Sequence, residues 1–450
     1  MDVLQLLTRF GLPFLARCRV PRDLESVTSA GDEAPAHEAG VRPEAVERVW
    51  RSIEALYRTG VHPAVQVCIR RHGIPVLHRS LGHAEGNAPD DPPDAPLIPV
   101  TTETPFVIFS AAKAVTAMLI HKLDEKRALH LEDRVCDFIP EFARDGKRRI
   151  TIRHILSHRA GVPNLPPEAM DLGLHDQPER IVEILSGQRL QSRPGRILAY
   201  HAVSGGFILA EVVRRATGDD IRTVLEREIC EPLGFRWMRY GVRPEDIDRV
   251  ARNAVTGPPP PPPISGMLRR ALGLGMREVV EFSNDPRFVT GVIPSANVVT
   301  TAEELSRFYQ CLLDGGELDG VRVFEPNTVR HATSEQSYWE IDLTLGVPLR
   351  YGLGFMLGDR RPNLFGWDNP LAFGHLGFTN VFSWADPERS LSVAILTSGK
   401  PILSLHAVRL VQMFVEMHRA FPKVESEGEE WQRARGRAAA AAARRQVGHG

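Results

Sequence analysis

The chain has 450 residues, enough to bury a large core in two or three domains, or in one large domain carrying an insertion. With 55 basic and 56 acidic residues the formal net charge is −1, so no field gathers nucleic acid or an anionic membrane, and a small, roughly neutral partner is expected. The five cysteines, Cys18, Cys68, Cys136, Cys230 and Cys311, are odd in number and lack a Cys-x-x-Cys spacing, a pattern of a reducing compartment such as the cytoplasm.

Residues 2–18 are apolar in character, yet Asp2 stands where an export signal is basic, and Arg9, Pro13 and Arg17 interrupt the run. No cleavable signal is expected. The segment suits a helix docked on the protein's own surface or, as the alternative, a peripheral membrane contact. Residues 21–42 have linker composition, and the first clear helix is predicted over 43–59. Strands over 64–69 and 75–81, joined at His72-Gly73, read as a hairpin. A polar, proline-rich stretch over 87–99 leads to PFVIFSAAKAVTAMLIHKL, an apolar core helix.

From 134 to 250 the periodicity is mostly helical, with segments at 152–157, 178–185, 205–217 and 221–228. Six prolines, Pro258 to Pro263, predict an extended polyproline segment on the surface. Residues 301–314 form a helix with acids in its first turn and Gly315-Gly316 at its end. Strands over 381–385 and 391–397 flank a type I turn with Pro387 at its second position; an amphipathic helix over 402–418 and a low-complexity tail follow. Strands at both ends bracket the helical middle. The expected class is therefore α/β (α+β), a mostly antiparallel sheet flanked by helices with an inserted helical domain. The partition is 1–42 as leading segment and linker, 43–133 with 251–420 as the sheet domain, 134–250 as the helical domain and 421–450 as tail.

Ser110-Ala111-Ala112-Lys113 places a hydroxyl and an amine on one face of a helix start, where developing negative charge is favoured. A plain capping box wants Glu or Gln at the third position, and capping explains Ser110 alone. A lysine among Ala111, Ala112, Ala114, Val115 and Ala117 needs another reason. There is no Gly-x-Ser-x-Gly, Walker A or His-Glu-x-x-His sequence, which argues against α/β-hydrolase, nucleotide and zinc-protease chemistry. His154 and His158 lie four apart but have no evident third ligand, so neither metal nor cofactor is expected. Two further segments stand out: Tyr200-His201-Ala202 after a turn, and His375-Leu376-Gly377 before the C-terminal hairpin.

In this order, Ser110-x-x-Lys113, Tyr200-His201-Ala202 and His375-Leu376-Gly377 resemble the three motifs of the serine β-lactamase and penicillin-binding-protein superfamily. The segment TIRHILSHRAGV at 151–162, Pro294-Ser295-Ala296-Asn297 and Tyr351-Gly352-Leu353-Gly354-Phe355 are similar to segments of its class C-like branch. Within that branch the Tyr-His-Ala and His-x-Gly forms resemble family VIII carboxylesterases and β-lactamase-related serine hydrolases, over about residues 43–420. The resemblance implies a β-lactamase/transpeptidase-like fold with Ser110 as nucleophile and Lys113 and Tyr200 sharing the general-base work. Tyr200 would act as a tyrosinate made accessible by the charge of Lys113. It also implies an oxyanion hole from the backbone N–H groups of Ser110 and Phe378, and substrate binding by His201, His375, Leu376 and Gly377.

Ala202 stands where β-lactamases usually have an asparagine that contacts an amide, and His375-Leu376-Gly377 lacks the polar groups that bind a substrate carboxylate. The expected activity is therefore hydrolysis of small or medium acyl esters through an acyl-Ser110 intermediate, with acyl transfer chemically adjacent. The alternatives are a β-lactamase or D-alanyl-D-alanine peptidase, and a non-catalytic binding protein on the same fold.

Overall fold

Both faces of the strand at Ala64–Arg71 are apolar: Val65, Val67 and Ile69 enter one core, Ala64 and Cys68 the other. A strand covered on both sides reads as a continuous apolar run, and this one lies inside a sheet sandwiched between helical layers. The structure, a computed structural model, describes residues 16–174 and 177–424. The N-terminal apolar segment through residue 15 and the tail from 425 lie outside the described residues.

The strands are β1 (Thr28–Ala30), β2 (Ala64–Arg71), β3 (Ile74–Glu85), β4 (Ile98–Pro99), β5 (Phe106–Val107), β6 (Arg239–Tyr240), β7 (Val298–Thr300), β8 (Glu317–Leu318), β9 (Val321–Arg322), β10 (Ser337–Ile341), β11 (Pro348–Tyr351), β12 (Met356–Leu357), β13 (Phe373–Gly377), β14 (Val381–Asp386) and β15 (Leu391–Thr397). The main sheet has ten strands in the order β1-β3-β2-β15-β14-β13-β12-β11-β10, with β4 on β3. Its pairs are antiparallel, and β15 locks the N-terminal hairpin to the C-terminal one with Val393 opposite Ile69 and Ile395 opposite Val67. A three-stranded sheet, β5-β7-β6, carries the chain toward the site, and β8 pairs with β9.

The helices used below are α1 (Pro43–Tyr57), α2 (Ala112–Glu125), α3 (Ile152–Leu156), α4 (Pro178–Ser186), α5 (Ser204–Thr217), α6 (Ile264–Leu272), α7 (Met276–Phe282), α8 (Ala302–Leu313) and α9 (His406–Ala420). Ile53 and Leu56 of α1 share one core with Met413, Phe414 and Met417 of α9; α2 and α8 fill the other core with α3, α4 and α5.

The polyproline expectation holds only in part. Pro263 is right-handed helical at φ −85° and ψ −3° and caps α6, whose Ser265 and Met267 N–H groups donate to the carbonyls of Pro261 and Pro263. Proline lacks an N–H but its carbonyl still accepts, so a proline run can open a helix that it cannot continue. The small strand β6 also falls inside the stretch read as helical, because Tyr240 pairs with Val298.

Candidate active site

Ser110 lies in the short turn Phe109–Ala111 that runs straight into α2. Phe109 sits at φ +48°, a left-handed conformation that costs an aromatic residue about 1–3 kcal/mol. Packing holds it there: its ring lies 5.6 Å from Phe378, and Lys400 Nζ stands 4.7 Å over it. Gly377, the last residue of β13, keeps the strand end against this turn, since a Cβ at that position would lie 2.3 Å from the Ile108 carbonyl oxygen.

Lys113 is 8% exposed, and burial lowers its amine well below the usual lysine range. Its Nζ lies 2.6 Å from the Ala202 carbonyl, 3.0 Å from that of Ser295 and 3.2 Å from Ser110 Oγ. Its N–H groups thus face two backbone carbonyls and Ser110 Oγ, and all three contacts accept from the amine.

Tyr200 closes the group, with Lys113 Nζ 4.9 Å from its ring centre. Burial raises its phenol, a hydrogen bond with Ser110 opposes the rise, and the Asp342 charge adds to it. Burial thus pushes the amine down and the phenol up, each toward its neutral form. The Tyr200 ring lies 4.7 Å from His158 and 6.2 Å from His375. Burial lowers both imidazoles, His375 to about 3.

In front of Ser110 opens a cleft of about 640 Å³ whose walls include Phe207, Leu272, Phe282, Phe288, Ile293 and Phe378. Among the described residues that line it, only Ser110 has a polar side chain. Helices α6 and α7 supply one wall, so the elements missed in the sequence border the site. Behind Lys113 lies a second chamber of about 350 Å³, lined by Thr116, His158, His201, Ser295 and Gly354 among others.

The four residues expected to bind substrate lie around the cleft's margin rather than among its lining residues. His201 faces the rear chamber, where burial lowers its imidazole to about 3 and neither ring nitrogen has a partner among the described residues. Its neighbours Ala202 and Val203 face the cleft instead. His375 turns Nδ1 toward the Leu376 carbonyl at 2.8 Å, and His375, Leu376 and Gly377 are not cleft-lining residues. They hold the strand end that presents Phe378.

Sequence reasoning missed the Ser295 carbonyl, whose segment was noted only for its likeness. It considered His158 only as a metal ligand, and among the described residues no group of three His, Cys, Asp or Glu is placed to hold a metal ion. It also missed Asp342, which accepts the Tyr200 N–H at 3.1 Å, and Lys400. The five cysteines are free, and among the described residues no helix is long and apolar enough to cross a membrane.

This sheet, with the Ser110 turn feeding a buried helix, defines the β-lactamase/transpeptidase fold. The beta-lactamase family model matches residues 51–414, and the chain belongs to that family. It is 28% identical over 319 residues to the esterase/beta-lactamase LipL of Mycobacterium tuberculosis, covering 66% of this chain and 70% of that protein. A penicillin-binding protein homologue from Caulobacter crescentus superposes with a TM-score of 0.72 at 27% identity, covering 85% of this chain and 99% of the other. A family VIII carboxylesterase has the same fold, with a TM-score of 0.70 at 24% identity over 86% of this chain and 98% of its own.

Proposed function

We propose that the protein is a serine esterase that cleaves small or medium acyl esters through an acyl-Ser110 intermediate. The observation that carries this reading is the cleft, in which the Ser110 hydroxyl is the only polar side chain in an apolar wall. Such a pocket gains from burying an acyl chain and offers nothing to a carboxylate or an amide. The similarity to LipL, an esterase/beta-lactamase by name, supports the same class.

Ser110 Oγ attacks the ester carbonyl while its proton passes to the lone pair of Lys113. The backbone N–H groups of Ser110 and Phe378 take the oxyanion, Phe378 standing beside Phe109 at the end of β13. Tyr200, a neutral phenol between Ser110 and Lys113, relays a proton to the departing alkoxide. Water then releases the acid by the reverse path. Five unpaired cysteines support a reducing compartment as the setting.

The test is turnover of short-chain aryl esters and of a chromogenic cephalosporin by the purified protein beside Ser110→Ala. Ester hydrolysis that disappears in Ser110→Ala is expected. Fast cephalosporin turnover with little esterase activity would replace this reading with a β-lactamase. Silence on both, with no labelling by a serine-directed phosphonate, would leave a binding protein.

A further inference from the structure

We infer that Asp342 is a positioning residue for Tyr200, fixing the backbone that aims its ring at Ser110 and Lys113; the inference rests on the acyl-Ser110 reading. Asp342 directly follows β10 and is fully buried. Its Oδ1 accepts the backbone N–H groups of Tyr200 at 3.1 Å, Thr344 at 2.9 Å and Leu345 at 3.0 Å. Its Oδ2 accepts the Tyr351 hydroxyl at 3.2 Å.

The same loop grips the chain two residues earlier, where the Leu343 N–H donates to the Leu198 carbonyl at 3.0 Å. Tyr200 is thus clamped by its backbone at two points. Its ring is clamped as well. Tyr351 stands edge-on to His158 at 5.0 Å, and His158 lies 4.7 Å from Tyr200. The His201 N–H donates to His158 Nδ1 at 3.3 Å, so that nitrogen is unprotonated and the imidazole neutral.

A buried carboxylate is costly unless it is paired, and neither lysine nor arginine forms an ion pair with Asp342 among the described residues. Three N–H groups and one phenol hold it instead. The bonds to Oδ1 need only an acceptor, so what they give Tyr200 is position, beside Ser110, Lys113, His158 and His375.

The experiment compares the wild type with Asp342→Asn and Asp342→Ala, using kcat and KM on a short-chain aryl ester and a melting curve for each. Asparagine keeps the Oδ1 acceptor and is expected to fold, to keep KM and to keep kcat near that of the wild type. Alanine releases the Tyr200 backbone and should lower kcat roughly a hundredfold with KM retained. A folded Asp342→Ala with the wild-type kcat, or an Asp342→Asn that loses as much kcat as Asp342→Ala, overturns the inference. Phosphonate labelling of Ser110 in the wild type separates the layers: if Ser110 is not labelled, the acyl-enzyme reading fails and the inference falls with it. If Ser110 is labelled and a folded Asp342→Ala keeps its kcat, only the inference fails.

Discussion

The cleft in front of Ser110 and the cavity lined by Lys113 lie on neighbouring residues, Ala202 and Val203 lining the first and His201 the second, yet they are built from opposite materials. The front is apolar apart from one hydroxyl, while the rear gathers Thr116, His158, His201 and Ser295 around the same amine. On the proposed reading the front selects a substrate by shape and apolar area, and the rear handles the proton. Burial lowers the imidazoles of the rear.

The strongest break in this division is to remove the amine. Lys113→Met keeps the stem and deletes the amine, and should lower kcat/KM on aryl esters by about a thousandfold or more, with Ser110→Ala at least as severe. Next comes the shape of the front. Phe288→Ala enlarges the cleft and should shift the ratio of kcat/KM between long and short acyl chains by roughly tenfold toward the longer, at a stability cost of about 3 kcal/mol. Rates across a series of aryl esters, with a melting curve, measure both.

The rear answers to acid. His201 is lowered to about 3, whereas an unfolded histidine titrates near 6.5, so below that pH the unfolded chain binds more protons than the folded one. The stability contributed by the neutral ring is complete above about pH 6.5 and is lost progressively as the pH falls toward 3. His62, His121 and His375, each lowered to about 3, add to the same loss. His201→Phe should therefore narrow the stability difference between pH 7 and pH 5 by about 2 kcal/mol, read from denaturant midpoints at the two pH values. If the two proteins lose stability in parallel, the rear chamber does not hold its histidine neutral.

Local patterns made much of this legible. Ser110 and Lys113 are one helical turn apart, and Tyr200 belongs to a compact motif, so their meeting was readable without coordinates. The β2–β3 and β14–β15 hairpins were readable because turn residues punctuate short apolar runs. Facing was harder. His201 follows Tyr200 directly, and nothing in a loop sequence says which of two neighbours turns to the cleft and which to the chamber. Asp342 was out of reach for another reason: it lies 142 positions from Tyr200 and contacts it through a backbone N–H, which leaves no trace in either local pattern. Helices α6 and α7 were hidden by the prolines before them, read as an extended surface segment, whereas Pro263 caps a helix.

The most direct test of a lysine-activated Ser110 is to catch the acyl group on it. The protein would be mixed with a short-chain aryl ester, quenched in acid within the first turnovers and mapped by peptide mass. The account predicts the acyl mass on the peptide containing Ser110, more of it as the pH rises through the lowered range of Lys113, and none in Ser110→Ala. Ester turnover with no adduct on that peptide, or with the adduct on another residue, would contradict it.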